Sequence, residues 1–309
     1  MDIALGTPRQ TLSIEVDTST GTTLIVAMQS QRRMQFTPFK FEDSGTKRLG
    51  LDDCTVPGTD ELAGRQVIDV LTIGECAIPE FHVQTVERLR FRPYFLDVFS
   101  GKLGLAPTSD LVPETFVGAL QRQFPNEPEF TFWFRPDEDG VFRNGIFSFG
   151  GIHDYRYEGP LIYRPLLSPD SWTIQATKIL LGETVLCAQD CNILFKTAIP
   201  YFYGPQDKIT EAQRLLQVES NRMHMGVHTL NCNIIYPLLS IHFGRHQVQW
   251  RMSDFWEKKL DRNQVICKLG MRASASGPGW TLGHRMMFKL FTVFDSRRSR
   301  IGIAKASRP

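Results

Sequence analysis

The two halves of this 309-residue sequence repeat one order of features. In the first half the segment SIEVDTST carries an apolar strand pattern into Asp17, and SGKLGLA follows much later. In the second half NILFKTAI carries the same pattern into Lys196, and GWTLGHRMM follows. In both halves 87 positions separate this residue from a later glycine, Gly104 or Gly283. A repeated order of elements predicts two similar structural units, and it limits the fold more than composition does.

Strand patterns dominate both halves. Segments such as QVIDVLTIG, EFTFWF and LFTVFD are rich in β-branched and aromatic residues, with Gly, Pro and Asp between them. TLSIEVD and TTLIVA follow one another closely and predict two strands joined by a tight polar turn. Helical patterns are few, the clearest being VPETFVGALQRQ and KITEAQRLLQV. The sequence therefore predicts a large all-β protein with a few short helices.

Composition limits the class of partner. The chain is 42% hydrophobic and 22% charged, which is typical of a globular domain, and it has a formal charge of +2 with acids and bases interspersed. This pattern predicts no nucleic-acid partner and no membrane partner. No apolar run reaches the length of a membrane-spanning helix. The start, MDIALGTPRQ, lacks the pattern of a signal peptide.

Histidine and cysteine spacing predicts no metal and no cofactor. The sequence has no HExxH motif and no CxxC pair followed by a second pair at zinc-site spacing. His242 and His246 lie four positions apart, a spacing that suits a metal on a helix, but Gly244 between them indicates a hairpin.

Lys196 stands where the apolar strand pattern of ILF ends. Lysine is almost never fully buried without a partner. Lys196 must therefore either reach water in a cleft or face a carboxylate.

The order of the motifs resembles that of the pepsin-like aspartic protease family, along nearly the whole chain. ALGTPRQTLSIEVDTST is similar to the strand that ends in the family's Asp-Thr-Gly-Ser/Thr loop, and SGKLGLAP resembles its Asp-Gly-Ile-Leu-Gly-Leu element. GWTLGHRMMFKLFTVFDSRRSRIGIA resembles the closing stretch without a gap. The resemblance implies an all-β, bilobal pepsin-like double β-barrel with a cleft between the lobes. It implies an N-terminal lobe of residues 1–155 and a C-terminal lobe of residues 156–309.

The resemblance assigns the catalytic positions to Asp17 and Lys196, which form a degenerate dyad. The family's second loop reads Asp-Thr-Gly-Thr/Ser, and this chain has Lys196-Thr197-Ala198-Ile199 there. The family's chemistry needs one ionised and one protonated carboxyl group. Because an ammonium opposite Asp17 cannot replace the protonated acid, the resemblance implies that aspartic protease activity is lost. It also implies that Asp17 and Lys196 face each other.

Further departures from the family pattern surround these positions. Ser19 and Ala198 replace the glycines of the two loops, whereas Thr18 and Thr197 keep the threonines that hydrogen-bond across the loops in the family. Ser100 and His284 replace two aspartates of the family motifs. The stretch TVPGTDELAG corresponds to the family's flap, with Pro57 at its tyrosine position. The predicted binding residues are Thr18, Ser19, Thr20, Pro57, Gly58, Thr197, Ala198 and Ile199.

Three roles for Lys196 remain open at this point. It can neutralise Asp17, act as a base or nucleophile, or extend into the cleft and bind an anionic group. Two functions correspond to these roles. The first is a pepsin-like protein without protease activity whose cleft binds a peptide or small-molecule ligand. The alternative is a repurposed enzyme, for example a cyclase or isomerase acting on a small biosynthetic intermediate, with Asp17 and Lys196 as polar or acid/base groups.

The resemblance also implies two disulfides in the second lobe, Cys187–Cys191 and Cys232–Cys267. Cys54 and Cys76 have no clear counterpart in the family and are either free thiols or a local bridge. Disulfides indicate an oxidising compartment, so we expect the secretory pathway or the extracellular space. We expect a monomer.

Overall fold

The computed structural model describes residues 1–309 except 28–35, 51–53, 56–61, 90–97, 108–113, 137–141, 153, 219–222, 225–226, 262–263, 276, 278 and 308–309. By compactness the chain divides into two units, Met1–Pro128 and Glu129–Pro309. The sequence expectation placed the boundary after residue 155. Compactness assigns residues 130–149 to the second unit because their strands form one sheet with strands near the carboxyl end of the chain.

The first unit is built mainly from strands. They are β1 (Asp2–Leu5), β2 (Gln10–Asp17), β3 (Leu24–Val26), β4 (Arg48–Leu49), β5 (Cys54–Thr55), β6 (Leu62–Gly64), β7 (Gln66–Ile73), β8 (Cys76–Val86), β9 (Arg88–Leu89) and β10 (Gly101–Gly104). A 3-10 turn spans Phe41–Asp43, and helix α1 spans Phe116–Gln123. The side chain of Thr115 caps α1 by accepting a hydrogen bond from the amide of Gly118, as an N-cap residue should.

Six strands of the first unit close into a barrel, in the order β1-β2-β10-β3-β8-β7, because β1 pairs with both β2 and β7. Strand β4 adds to β7, and β5, β6 and β9 form a small separate sheet. Alternating residues of β2, Leu12 and Ile14, are buried together with Leu71 of β7 and Phe81 of β8. The period of two along β2 therefore reflects one face turned to the barrel core.

The second unit has more strands. They are β11 (Phe130–Pro136), β12 (Phe142–Phe149), β13 (Tyr157–Ser168), β14 (Ser171–Ala176), β15 (Lys178–Leu181), β16 (Thr184–Cys187), β17 (Cys191–Lys196), β18 (Phe202–Gly204), β19 (Met223–His224), β20 (Val227–Leu230), β21 (Leu239–Phe243), β22 (His246–Trp250), β23 (Glu257–Asp261), β24 (Gln264–Lys268), β25 (Met271–Ala273), β26 (Trp280–Gly283), β27 (Leu290–Asp295) and β28 (Arg300–Ala306). Its helices are α2 (Gln206–Leu215), α3 (Met252–Phe255) and α4 (His284–Met287), with a 3-10 turn at Asp154–Arg156.

A ten-stranded sheet organises the second unit, in the order β12-β11-β27-β28-β13-β14-β17-β26-β18-β25. Its core is aromatic: the rings of Phe130 and Phe294 stack with centroids 4.8 Å apart, and Trp172 meets Phe294 edge-on at 5.0 Å. Such rings bury large apolar areas and lock neighbouring strands. Strands β16-β15-β21-β22 and β19-β20-β24-β23 form two smaller sheets.

The predicted all-β class is confirmed, and so are both predicted disulfides, Cys187–Cys191 and Cys232–Cys267. Cys76 is a free thiol, and Cys54 lies in strand β5. Burial raises the pKa of the Cys76 thiol, so that its reactive thiolate is disfavoured. In the described part of the chain, no helix has the length and apolar character needed to cross a membrane.

The strands predicted in TLSIEVD and TTLIVA both form, as β2 and β3, but they do not pair with each other. Strands β2 and β3 follow one another in sequence, but β10 lies between them, parallel to β2 and antiparallel to β3. Gly101 makes this insertion feasible, because a Cβ there would lie 2.2 Å from the carbonyl oxygen of Leu24. A partner so distant along the chain leaves no local signal in the sequence.

Candidate functional site

One strand pairing occurs in both units and ends at the residues singled out by the sequence. Asp17 ends β2, whose parallel partner β10 places Gly104 directly opposite. Lys196 ends β17, whose parallel partner β26 places Gly283 directly opposite. The repeated spacing of 87 positions in the sequence is therefore a repeated register in the structure. Within its own unit, Lys196 occupies the strand position that Asp17 occupies in the other.

The two glycines allow the loops after these strands to lie directly on the neighbouring backbone. A Cβ on Gly104 would lie 2.7 Å from the carbonyl oxygens of Gly21 and Thr22. A Cβ on Gly283 would lie 2.4 Å from the carbonyl oxygen of Tyr201. Real Cβ atoms do not approach backbone so closely, so both positions require glycine.

The carboxylate of Asp17 is buried and hydrogen-bonded through both oxygens. The residue is 2% exposed. Its Oδ1 accepts hydrogen bonds from the amide of Ser19 at 2.8 Å and from the Ser19 hydroxyl at 2.6 Å. Its Oδ2 accepts a hydrogen bond from the ammonium of Lys102 at 2.8 Å. The serine that replaces a family glycine therefore supplies a donor to Asp17.

Lys102 places its ammonium between two carboxylates. The parallel register sets Lys102 of β10 opposite Glu15 of β2, and Glu15 and Asp17, two positions apart, share one face of the strand. The Nζ of Lys102 lies 3.3 Å from Oε2 of Glu15 as well as 2.8 Å from Oδ2 of Asp17. Two carboxylates and one ammonium give this face a formal charge of −1.

The charges shift the pKa values of both partners toward the ionised pair. Burial alone would raise the pKa of Asp17, but the charge of Lys102 and the hydrogen bonds from Lys102 and Ser19 outweigh it and hold that pKa below its ordinary value. Burial alone would lower the pKa of Lys102, but Asp17 and then Glu15 outweigh it and raise that pKa. Asp17 is therefore an anion and Lys102 a cation across the neutral and mildly acidic range.

The loop after β17 is held by His284, at the start of α4. The amide of His284 donates to the carbonyl of Ile199 at 2.8 Å, and its Nδ1 lies 2.9 Å from the carbonyl oxygen of Thr197. Burial lowers the pKa of His284, the hydrogen bond to Thr197 opposes this shift, and the charge of Arg285 adds to it. The ring is therefore neutral near pH 7 and donates its Nδ1 proton to Thr197. His284 therefore holds this loop through both its backbone amide and its ring.

The remaining predicted residues divide between the two units. Thr18 and Thr197 are buried, and the carbonyl of Thr20 accepts a hydrogen bond from the amide of Ala106 at 2.9 Å. Ala198 and Ile199 are partly buried. Pro57 and Gly58 lie outside the described residues.

The structure brings Thr18, Ser19 and Thr20 together with Asp17 in the first unit, and Thr197, Ala198 and Ile199 together with Lys196 in the second. The expected meeting of Asp17 with Lys196 joins two units and stays a prediction. Among the described residues of its own unit, the side chain of Lys196 has no hydrogen-bond or ion-pair partner, although its backbone pairs with Gly283 in the sheet.

Sequence reasoning missed Lys102. The sequence does contain a signal: in SGKLG one lysine interrupts a short run of small and apolar residues. This segment forms β10, which pairs with the strand of Asp17. The same reasoning that singled out Lys196 applies to it.

A metal centre finds no support in the described part of the chain. No three His, Cys, Asp or Glu side chains there lie close enough together to hold an ion. His242 and His246 lie in the hairpin of β21 and β22, where Phe243 pairs with His246.

Comparison with known proteins agrees with the repeated strand-and-loop arrangement. The family model described as eukaryotic aspartyl protease matches residues 1–306. The chain is 25% identical to renin of Rattus norvegicus over 99% of the chain and 78% of that protein. It is 25% identical to pregnancy-associated glycoprotein 1 of Ovis aries, over 99% of the chain and 81% of that protein, and 26% identical to pepsin-3 of Oryctolagus cuniculus, over 99% and 80%. The chain therefore belongs to the eukaryotic aspartyl protease family.

Proposed function

We propose that this chain is a member of the aspartyl protease family that does not cleave peptides and instead binds a peptide or small-molecule ligand next to the Asp17 loop. The observation that carries the proposal is the engagement of both Asp17 oxygens, with the ammonium of Lys102 2.8 Å from Oδ2. The resemblance of Lys196 to the family's second catalytic aspartate supports it further.

Peptide hydrolysis by two carboxyl groups needs a base and a neutral acid at the same time. Asp17 is a weakened base, because the adjacent ammonium lowers its pKa and holds one of its oxygens. Lys196, at the second position, has no carboxyl group and therefore no carboxyl proton to donate. The chain therefore has neither half of the acid–base pair in working form.

The repurposed-enzyme alternative receives no support from Lys102. Lys102 is the lysine that contacts Asp17, so it is a candidate for a catalytic base. Asp17 and Glu15 outweigh the effect of burial and raise the pKa of Lys102, and a cationic lysine does not accept protons. A cyclase or isomerase that uses Asp17 and Lys196 stays a prediction from the sequence.

The two disulfides support a location in the secretory pathway or outside the cell, because such bonds persist in oxidising compartments. We expect the protein to act there as a monomer, with its ligand as the principal partner.

The proposal is tested by incubating the purified protein with casein and with denatured haemoglobin at intervals from pH 2 to pH 7, with pepsin as the positive control. We expect no cleavage by the unmodified protein or by Lys196→Asp, since Lys102 still holds Asp17 in that variant. Cleavage by the unmodified protein that pepstatin inhibits would overturn the proposal. Native mass spectrometry of protein purified from its source would identify a bound ligand.

The expected meeting of Asp17 and Lys196 has its own test. Lys196→Met, Asp17→Asn and the double variant form a thermodynamic cycle in which contacting residues are non-additive. Strictly additive losses of stability would show that the two side chains do not meet. The proposed loss of protease activity would still stand, because it also rests on Lys102.

A further inference from the structure

A second cluster of charged and aromatic side chains lies beside the loop of Lys196, around Tyr201. The carbonyl of Tyr201 accepts a hydrogen bond from the amide of Gly283 at 3.1 Å, so this residue of the loop after β17 lies against the end of β26. Its ring is partly buried and faces two arginines, Arg272 of β25 and Arg285 of α4.

Arg272 stacks its guanidinium on Tyr201 without using its hydrogen-bond donors. The carbon at the centre of the guanidinium lies 3.8 Å from the centroid of the ring. Its Nε is buried and unpaired, and the guanidinium makes no hydrogen bond or ion pair with any residue in the described ranges. Guanidinium groups carry five donors in a fixed plane, and stacking on an aromatic ring fixes that plane in advance.

Arg285 provides a second, partly committed guanidinium. One of its Nη atoms donates to the carbonyl of Trp256 at 3.0 Å, and its central carbon lies 5.8 Å from the Tyr201 ring centroid. The remaining donors of Arg285 have no hydrogen-bond partner among the described residues.

The charge around Tyr201 is positive. Glu257 is the acidic residue of the cluster, and it accepts a hydrogen bond from the Tyr201 hydroxyl at 2.9 Å. Two cations and one carboxylate give a formal charge of +1, which attracts an anionic ligand group.

We propose that Arg272 and Arg285, positioned by Tyr201, form a subsite that binds the carboxylate of an acidic side chain in a peptide ligand. A pre-oriented guanidinium matches a carboxylate in bidentate geometry, and fewer rotamers are lost on binding. The inference rests on the proposed function in one respect, namely that the peptide is bound and not cut.

The test uses two fluorescein-labelled peptides, hexaglutamate and hexaglutamine, with fluorescence anisotropy at 50 mM and 200 mM salt. The proteins are the unmodified chain, Arg272→Gln, Arg285→Gln, Tyr201→Leu and the control Arg214→Gln. Arg214 is an exposed arginine in the last turn of α2, and its substitution changes the net charge equally.

We expect the unmodified chain and Arg214→Gln to bind hexaglutamate at least tenfold more tightly than hexaglutamine. We expect Arg272→Gln to remove most of that preference, and Arg285→Gln and Tyr201→Leu to reduce it several-fold. Circular dichroism and melting temperature establish that each variant is folded, and Arg272→Lys, which keeps the charge without the planar fork, should recover only part of the preference.

Equal binding of the two peptides, or an equal loss in Arg214→Gln, would overturn the subsite. Equally tight binding of a labelled oligothymidylate of the same charge would also overturn it, since that result indicates general attraction of anions. Mass spectrometry of the peptides after incubation separates the two proposals. Cleaved peptide contradicts the proposed function and leaves the subsite intact, whereas intact and unbound peptide contradicts the subsite alone.

Discussion

The ammonium of Lys102 lies 2.8 Å from Oδ2 of Asp17, and both side chains come from neighbouring parallel strands of one barrel. This pair is built entirely within the first unit. The side chain of Asp17 is 3% exposed and that of Lys102 is 17% exposed, so the pair is largely shielded from solvent. The charge of Asp17 is therefore compensated within its own unit, by a residue that lies 85 positions away in the sequence.

Removal of Lys102 should cost more stability than removal of the Asp17 charge. Lys102→Met leaves a buried, uncompensated carboxylate, and we expect a loss of about 3 kcal/mol in the free energy of unfolding. Asp17→Asn leaves Lys102 paired with Glu15, and we expect a loss of about 1 kcal/mol. Urea denaturation of both variants measures this difference.

The double variant, Asp17→Asn with Lys102→Met, should lose about 1 kcal/mol less than the sum of the single losses, because contacting residues are coupled. Lys208→Met is the matched control, since Lys208 forms a partly exposed pair with Glu211. Such pairs contribute less than about 1 kcal/mol. Equal losses for Lys102→Met and Lys208→Met would contradict the buried pair.

The pKa of Asp17 should depend on Lys102. In the unmodified protein we expect its carboxyl carbon to titrate below the ordinary value of 3.8 in carbon-13 NMR spectra. In Lys102→Leu the burial of Asp17 remains while the opposing charge is lost, so its pKa should rise above 3.8.

The lowered pKa of Asp17 determines how this residue changes the stability of the folded state with pH. With a lowered pKa, Asp17 favours the folded state above pH 3.8, and this contribution is lost as the pH falls below that value. In Lys102→Leu the direction should reverse, and protonation of Asp17 should favour folding. An unchanged Asp17 titration in the variant would show that Lys102 does not act on it.

His284 should make the protein less stable in mild acid. Its pKa is lowered from 6.5 in the folded state, so the unfolded chain takes up a proton first as the pH falls below 6.5. We expect His284→Asn, whose side-chain amide can donate to Thr197 in place of Nδ1, to reduce this loss of stability. Thermal melting from pH 7.5 to pH 5 is the measurement.

Two histidines set the controls for this experiment. The pKa of His82 is also lowered, by burial first and then by Arg122 and Arg48, so some acid sensitivity should remain in His284→Asn. His246 is exposed on the hairpin of β21 and β22, and His246→Asn should melt like the unmodified protein at every pH. The hypothesis fails if His284→Asn and His246→Asn give the same profile.

The two disulfides should contribute unequally to stability. Cys232–Cys267 spans 35 positions and Cys187–Cys191 spans four. Loop-closure entropy predicts about 4 kcal/mol for the first and about 2 kcal/mol for the second. Melting of the two double-alanine variants compares them, and thiol titration of the denatured, unreduced protein should find no more than two thiols. A larger loss for the Cys187–Cys191 variant would contradict the entropic argument.

The repeated strands and their register could be predicted because they depend on local patterns. The apolar alternation before Asp17 can be seen in the sequence, and so can the equal spacing from Asp17 to Gly104 and from Lys196 to Gly283. In the structure these residues are paired on neighbouring strands. The insertion of β10 between β2 and β3 could not be predicted in this way. It depends on contacts between segments far apart in the chain.

The partners of the site residues were harder to predict than their positions. The sequence identified Asp17 but not Lys102 as its partner, because the pairing depends on which residue of β10 lies opposite Glu15. The stacking of Arg272 on Tyr201 likewise depends on the parallel pairing of β18 and β25, which sets Tyr203 opposite Arg272. Tyr201 precedes Tyr203 by two positions, and Arg272 stacks on its ring.

Gly104 and Gly283 have a consequence for how such a chain can diverge. Each loop contacts its glycine through backbone carbonyl groups, so this contact does not depend on which side chains the loop carries. Side chains such as those of Ser19 and Ala198 can then vary in a loop while the strand register stays the same. The residues of such a loop can in this way change one at a time while the strands beneath them keep their pairing.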